Sequence, residues 1–366
     1  MKNPLEKIFT EKIIPPATTT YNFFETKFGL ETSIKKELEA AAEKITMIKN
    51  YEEKINSSIK NSASQIKITK KNAQTTTTKT KTEPKRTMLS QISGNVQTQI
   101  SISQQNKNET SELKITEKTS EIASLKRLKI TIEEQTDAII EINLSKEPKI
   151  SYLELEIEIK ENSTLSLIIS GGSENIKISD IKTTINENSE FKKAEITKGS
   201  EFAITFSETI LKGERSKADI RSIIIGNRKE TSLTKEKIIH KSGKTESSIL
   251  QKAVMSDNSR SIIINDLDIK ENTKDTKAKE KTDAIILGDN ARIDAFPSLN
   301  VNSNLTETSH GVSISYIDKK KTNYLMSKGI SEEKSKQMIT EAFIKSALVS
   351  FGKGEEKIKS IIKTND

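Results

Sequence analysis

The chain has 366 residues, no cysteine, no tryptophan, 33% hydrophobic and 31% charged residues, and a formal net charge of +8. These values exclude disulfides, thiolate nucleophiles and thiolate metal sites, and they disfavour a thick globular core while suiting a solenoid that buries one inward row per turn. The basic balance carries no Arg cluster and no basic–aromatic interleaving, so it reads as a Lys-rich solvated surface and not as a nucleic-acid site.

In chain order, residues 1–60 read as an N-terminal helical segment. An aromatic patch at Phe23, Phe24 and Phe28 leads to Gly29. Ile34, Leu38, Ala41, Ile45, Ile48 and Ile55 then recur at helical spacing. Such a stripe packs on its own domain or receives a partner helix. Residues 61–90 are Ser, Thr, Lys, Asn and Gln with few apolar side chains, and read as a polar linker. The N-terminus, Met1-Lys2-Asn3-Pro4-Leu5-Glu6, lacks an apolar signal core. No run approaches the roughly 18 apolar residues of a membrane span. A cytoplasmic chain without membrane or nucleic-acid partners is expected.

From residue 91 to 317 the pattern turns to period two. Ile100/Ile102, Ile130/Ile132, Leu153/Leu155/Ile157/Ile159 and Leu165/Leu167/Ile169 alternate with polar neighbours, as half-buried strands do. A corner recurs between them, centred on Asn162, Asn188, Gly199, Asn258, Asn272 and Asn290. Asn and Gly tolerate the left-handed backbone of a tight corner. The flanking apolar residues are expected to point inward and the corner to stay wet. Hairpins or a coil of parallel strands would both fit. The repeated corner in an apolar-poor chain favours a stacked β-solenoid with parallel strands.

Residues 318–366 read as a C-terminal helical domain. Asp318 caps a helix running to about Ser327, and Gly329 ends it. Ser331 with Glu332 and Glu333 starts a second, with Met338, Ile339, Ala342, Phe343 and Leu348 as its apolar face. Ile358, Ile361 and Ile362 mark a short last helix.

Between His240 and Phe351 a set of motifs stands in order. His240 precedes Ser247-Ser248 and Asp257-Asn258-Ser259-Arg260. Then come Ala284-Ile285-Ile286-Leu287-Gly288-Asp289 and Phe296-Pro297-Ser298-Leu299-Asn300-Val301. Ser309-His310-Gly311 and Tyr324-Leu325-Met326-Ser327-Lys328-Gly329-Ile330 follow. This order resembles the SufB/SufD family, the scaffold subunits of the SUF iron–sulfur cluster assembly machine. The resemblance implies a right-handed parallel β-helix with helical N- and C-terminal regions, and a scaffold that is not itself an enzyme. Where the SufB branch carries cysteines, this chain has Thr282 and Ala291. Its Ser-His-Gly motif looks closer to the SufD branch. What survives of the family's site is His310, a candidate metal ligand through its imidazole. Tyr324, Leu325, Met326, Met338 and Phe343 fall in the part that docks a SufC-like ABC-type ATPase; no phosphate loop of that kind exists in this chain.

The resemblance thus implies pairing with a SufB-like subunit or with a second copy. It implies no cluster held stably alone, and a transient iron–sulfur cluster at the subunit interface. His240, Glu307 and Asp318 read as structural or solvated residues. The competing reading is a β-helix carbohydrate-binding protein or polysaccharide lyase, which 4% aromatic content disfavours.

Overall fold

The computed structural model describes residues 66–347, apart from 72, 82–95, 105–108, 118–122, 147, 149 and 272. Among the described residues the β-structure consists of two nine-stranded sheets. The first runs β1 (Ile66–Lys71), β4 (Ser111–Glu117), β6 (Asp137–Leu144), β8 (Thr164–Gly171), β10 (Glu190–Lys198), β12 (Lys217–Gly226), β14 (Glu246–Met255), β16 (Thr276–Ile286) and β18 (Thr306–Tyr316). The second runs β2 (Ala73–Lys81), β3 (Val96–Gln104), β5 (Ala123–Ile132), β7 (Ile150–Ile159), β9 (Ile176–Ile185), β11 (Phe202–Leu211), β13 (Thr231–His240), β15 (Arg260–Ile269) and β17 (Arg292–Val301). From β3 to β18 the chain alternates between the sheets, and from β5 onward each strand pairs in parallel with the one a coil earlier. This is a parallel β-solenoid. Contacts divide the chain into Met1–Ala63 with Thr80–Val96, and Ser64–Lys79 with Gln97–Asp366; nearly all described residues fall in the second unit.

One coil advances the chain by as few as 26 residues, Leu155 to Ile181, and as many as 32, Arg260 to Arg292. The coil length is absorbed at the corners, so the sequence shows a recurring corner without a strict repeat. Asn162, Asn188 and Gly199 adopt left-handed φ of 56, 53 and 78°. Asn258 and Asn290 also lie between strands. At the Asn258 corner, however, Asp257 takes the left-handed place, at φ 54°. Asn272 lies outside the described residues. Gln135, Arg215, Arg228, Lys244 and Asp275 are left-handed as well. The corners they make carry no Asn or Gly at that place to announce them.

The corners stay wet at their centres, where Asn162 and Asn188 are exposed, and each then turns inward on a buried Ser. Ser163 and Ser189 are each 1% exposed. Ser163 Oγ accepts from the Thr136 N–H at 3.1 Å and donates to the Glu133 carbonyl at 2.7 Å. One coil on, Ser189 Oγ accepts from the Ser163 N–H and donates to the Lys160 carbonyl. The hydroxyls therefore stack from coil to coil and satisfy backbone groups that the turn would otherwise strand.

The stretch expected to be a polar linker, 61–90, instead holds β1 and β2. β1 pairs antiparallel with β4, opposite in sense to the coils that follow. Ala73-Gln74-Thr75-Thr76-Thr77-Thr78 has little apolar area to bury, but a strand added to an existing sheet draws on ladder hydrogen bonds, and β-branched Thr suits it. The N-terminal helix over 1–60 and the last helix near Ile358 lie outside the described residues.

Inside the solenoid the early coils are apolar. Ile100, Ile130, Ile140, Leu153, Leu155, Leu167 and Phe191 belong to one buried cluster that continues to Ile249 and Ala278. A second interior cluster gathers Ile224, Ala253, Met255, Ile263, Ala284 and Ile293. Between the two, from β9 onward, the inward row turns polar. Lys177, Lys193 and Glu195 are at most 2% exposed, as are Glu236, Gln251, Asn265 and Thr282. Lys193 Nζ lies 2.6 Å from Glu236 Oε1, and Lys177 Nζ 3.2 Å from Glu195 Oε1. Burial would raise the Glu195 carboxyl, but Lys177 and Lys193 hold it below its ordinary value. Burial keeps the Glu236 carboxyl above its own despite Lys193.

The C-terminal region is helical. α1 (Lys319–Ser327) is capped by Asp318, whose Oδ1 accepts the Lys320 N–H at 2.9 Å. Gly329, at φ 84°, follows its end. α2 (Glu332–Lys345) is capped by Ser331, with Glu332 and Glu333 at its positive end. Ile344 and Ala347 pack with Ile168, Ala194, Ile196, Ile223 and Val254 on the outward face of the first sheet, with Phe343 against the cluster. Ile196, expected to point inward, therefore faces α2, while its neighbour Glu195 takes the lumen.

Candidate functional site

The coil stack ends in an open edge. Among the described residues β18 and β17 are the terminal strands of their sheets, so each has hydrogen-bonding groups that no further described strand pairs. Pro297, in β17, lacks an N–H and is tolerated there because the strand is an edge. Val301, Leu305, Val312, Ile314 and Tyr316 are exposed around this end. Contiguous exposed apolar side chains beside an unpaired strand edge suit an interface.

His310 lies on β18 and is exposed. Its register partner on β16 is Glu280. Partners in a parallel ladder share a face, so the imidazole lies on the same face as a carboxylate from the inward row. Glu280 is 3% exposed. Its Oε1 accepts from Asn265 Nδ2 at 2.9 Å, and the same amide donates to Thr282 Oγ1 at 3.1 Å. Glu280 Oε2, Asn265 Oδ1 and both amide atoms of Gln251 are buried with no hydrogen-bond partner. Burial pushes the Glu280 carboxyl above its ordinary value; the Asn265 bond and the nearby His310 oppose this.

The other residues singled out from sequence fall into place around this end. Thr282 is fully buried, in register with Gln251 on one side and Val312 on the other. Ala291 is buried at the corner before β17. Glu307 pairs with Lys277 at 3.4 Å on the surface. His240 is fully buried, its Nδ1 2.7 Å from Thr245 Oγ1 and its Nε2 2.8 Å from Ser247 Oγ. Burial brings its pKa down to about 4, so the ring is neutral and both nitrogens are engaged. It stands two coils before the edge and holds a corner.

The helices form a separate surface. Tyr324, Met326 and Met338 are 62, 42 and 41% exposed. Leu325 is half-buried. Phe343 differs: it packs on the solenoid, with the Lys252 ammonium 4.1 Å from its ring centre. Arg221 Nη1 donates to the Ala347 carbonyl at 2.6 Å and fastens the end of α2 to β12.

Among the described residues, no three His, Asp or Glu side chains gather as a metal site, and no helix is long and apolar enough to cross a membrane. Glu280, Asn265 and Gln251 were not found from sequence. Within β16, Lys277 to Thr282 holds Ala278 as its one apolar residue, too little alternation to mark Glu280 as facing inward.

Comparison with known proteins agrees with this geometry. Residues 113–343 match the family described as SUF system FeS cluster assembly, SufBD core domain. An iron–sulfur cluster assembly SufBD family protein of Staphylococcus saprophyticus is 24% identical over 207 residues, covering 57% of this chain and 42% of the relative. One from Synechocystis is 27% identical over 161 residues, 44% of this chain and 34% of the relative. The chain thus matches less than half the length of these relatives. The family match spans well over half of this chain and takes in the later coils, the open edge and both helices: the chain belongs to the SufBD core family of the SUF iron–sulfur cluster assembly system.

Proposed function

We propose that this chain is a SufD-like, thiol-free scaffold subunit. It pairs through its last coil with a cysteine-bearing SufB-like subunit and docks a SufC-like ABC-type ATPase on the exposed side of α1 and α2. It is a scaffold and not an enzyme, and it works in the cytoplasm. The observation that carries the reading is the combination of no cysteine anywhere in the chain with His310 at an open sheet edge. A nascent cluster is the cargo. Imidazole from this chain and thiolates from the sister subunit would together supply donors suited to iron. Tyr324, Met326 and Met338 are the apolar contacts left for the ATPase, since α2 already spends Ile344 and Phe343 on the solenoid.

Co-expression with a cysteine-bearing scaffold and the ATPase tests this. Purification through a tag on this chain is expected to recover both partners, with one copy of this chain per sister scaffold by native mass spectrometry. A chain that elutes only as a homodimer and never captures the cysteine-bearing scaffold would favour the self-pairing reading and defeat this one.

A further inference from the structure

We infer that Glu280 is a second protein ligand beside His310, and that together they form a nitrogen–oxygen site for a divalent first-row transition ion at the mouth of the solenoid. The inference rests on the reading of His310 as a metal ligand and adds the residue that would complete it. Three observations carry it. The two residues are Cα partners on adjacent parallel strands, so both side chains leave the same face of the sheet. Glu280 is 3% exposed, yet its Oε2 has no hydrogen-bond partner. Its other oxygen is fixed by Asn265, whose amide reaches across from the opposite sheet and also holds Thr282.

A buried carboxylate oxygen without a partner is costly, because the desolvation of a charged acceptor goes uncompensated. A cation held between it and an imidazole removes that cost. Asn265 then acts as a positioning residue: by engaging Oε1 it leaves Oε2 for the ion. Its own Oδ1 is unpartnered as well. The donor set is one imidazole nitrogen and one carboxylate oxygen, with no thiolate in the chain. That chemistry suits ferrous, manganous or cobaltous ions more than a sulfide cluster. Two protein ligands leave coordination positions open for solvent or for groups from a pairing subunit. On this view the subunit presents a metal ion, and sulfide joins it from elsewhere.

The test uses the full chain under anaerobic conditions, with Co²⁺ as a spectroscopic probe and Fe²⁺ alone, without sulfide, in a parallel titration. Glu280→Gln keeps the volume and the acceptor for Asn265 while removing the charge. His310→Ala alters an exposed side chain. Thermal melting establishes that each variant is folded. The wild type is expected to bind one equivalent of Co²⁺ with resolved d–d bands. Each variant is expected to lose at least tenfold in affinity and to shift those bands, with the melting temperature kept. If His310→Ala weakens binding and a folded Glu280→Gln does not, this inference falls and the reading of His310 stands. If neither variant changes binding, or the wild type binds no ion, both fall. Should Glu280→Gln fail to fold, Asn265→Ala decides between them. Loss of the amide that fixes Oε1 is expected to weaken Co²⁺ at least threefold, and unchanged affinity would count against a site at Glu280.

Discussion

At the scale of single residues, the two histidines of the chain do opposite things, and burial separates them. His240 is sealed between Thr245 and Ser247 inside the stack, and burial holds its pKa down to about 4. In the unfolded chain an imidazole titrates near about 6.5. Between these values the unfolded state binds the extra proton, so stability is full above about pH 6.5 and falls as the pH drops toward 4. The loss amounts to roughly 3 kcal/mol at most. His240→Gln is expected to abolish this part of the slope. The check is the urea midpoint of wild type and variant between pH 4.5 and 7. The difference between them should change with pH, and a constant offset would show that His240 does not titrate as described. His310 lies exposed on the edge strand. It stood out in the sequence only through the motif Ser309-His310-Gly311 in its wider order, because a lone histidine among polar residues has no distinguishing pattern. Glu280 was not legible at all, since its inward aim is a property of strand register.

At the scale of elements, the helix caps, the alternating strands and the corners at Asn162, Asn188 and Gly199 could be read directly, because each has a local chemical cause. Asp318 and Ser331 accept first-turn N–H groups as N-caps do. The corners at Gln135, Arg215, Arg228 and Lys244 could not be read, since the coil above and below imposes their left-handed backbone. Nor could the orientation of β10. Phe191, Lys193 and Glu195 line its inward side, while Ala194 and Ile196 face outward and are covered by α2. Alternation reveals two faces but not which one meets the lumen. This orientation divides the helix residues into two groups with different consequences. Phe343→Ala is expected to loosen α2 from the first sheet at a cost of about 2 kcal/mol, and so to lower the melting temperature as well as ATPase binding. Tyr324→Ala and Met338→Ala, being exposed, are expected to leave the melt unchanged and to weaken the ATPase at least tenfold. Paired melting and ATPase pull-down on all three variants decide it. Full ATPase binding by both exposed-residue variants would remove these helices from the docking surface.

At the scale of the whole molecule, the solenoid was legible from the low apolar content and the repeated corner, and the family match confirms the class of protein. What was hidden is the change of interior along the axis. The early coils are filled by Ile and Leu. The later ones carry the Lys177–Glu195 and Lys193–Glu236 pairs and then Gln251, Asn265 and Glu280, up to the open end. Buried charges of this kind add little net stability. The central claim is that this subunit contributes a surface and non-thiol donors to a cluster completed by another chain. Anaerobic reconstitution with ferrous ion and sulfide, followed by iron, acid-labile sulfide and visible absorbance, tests it most directly. The isolated chain is expected to retain no stoichiometric acid-labile sulfide and no cluster absorbance, while its complex with the cysteine-bearing scaffold acquires both. A stoichiometric, stable cluster in the isolated chain would contradict the account.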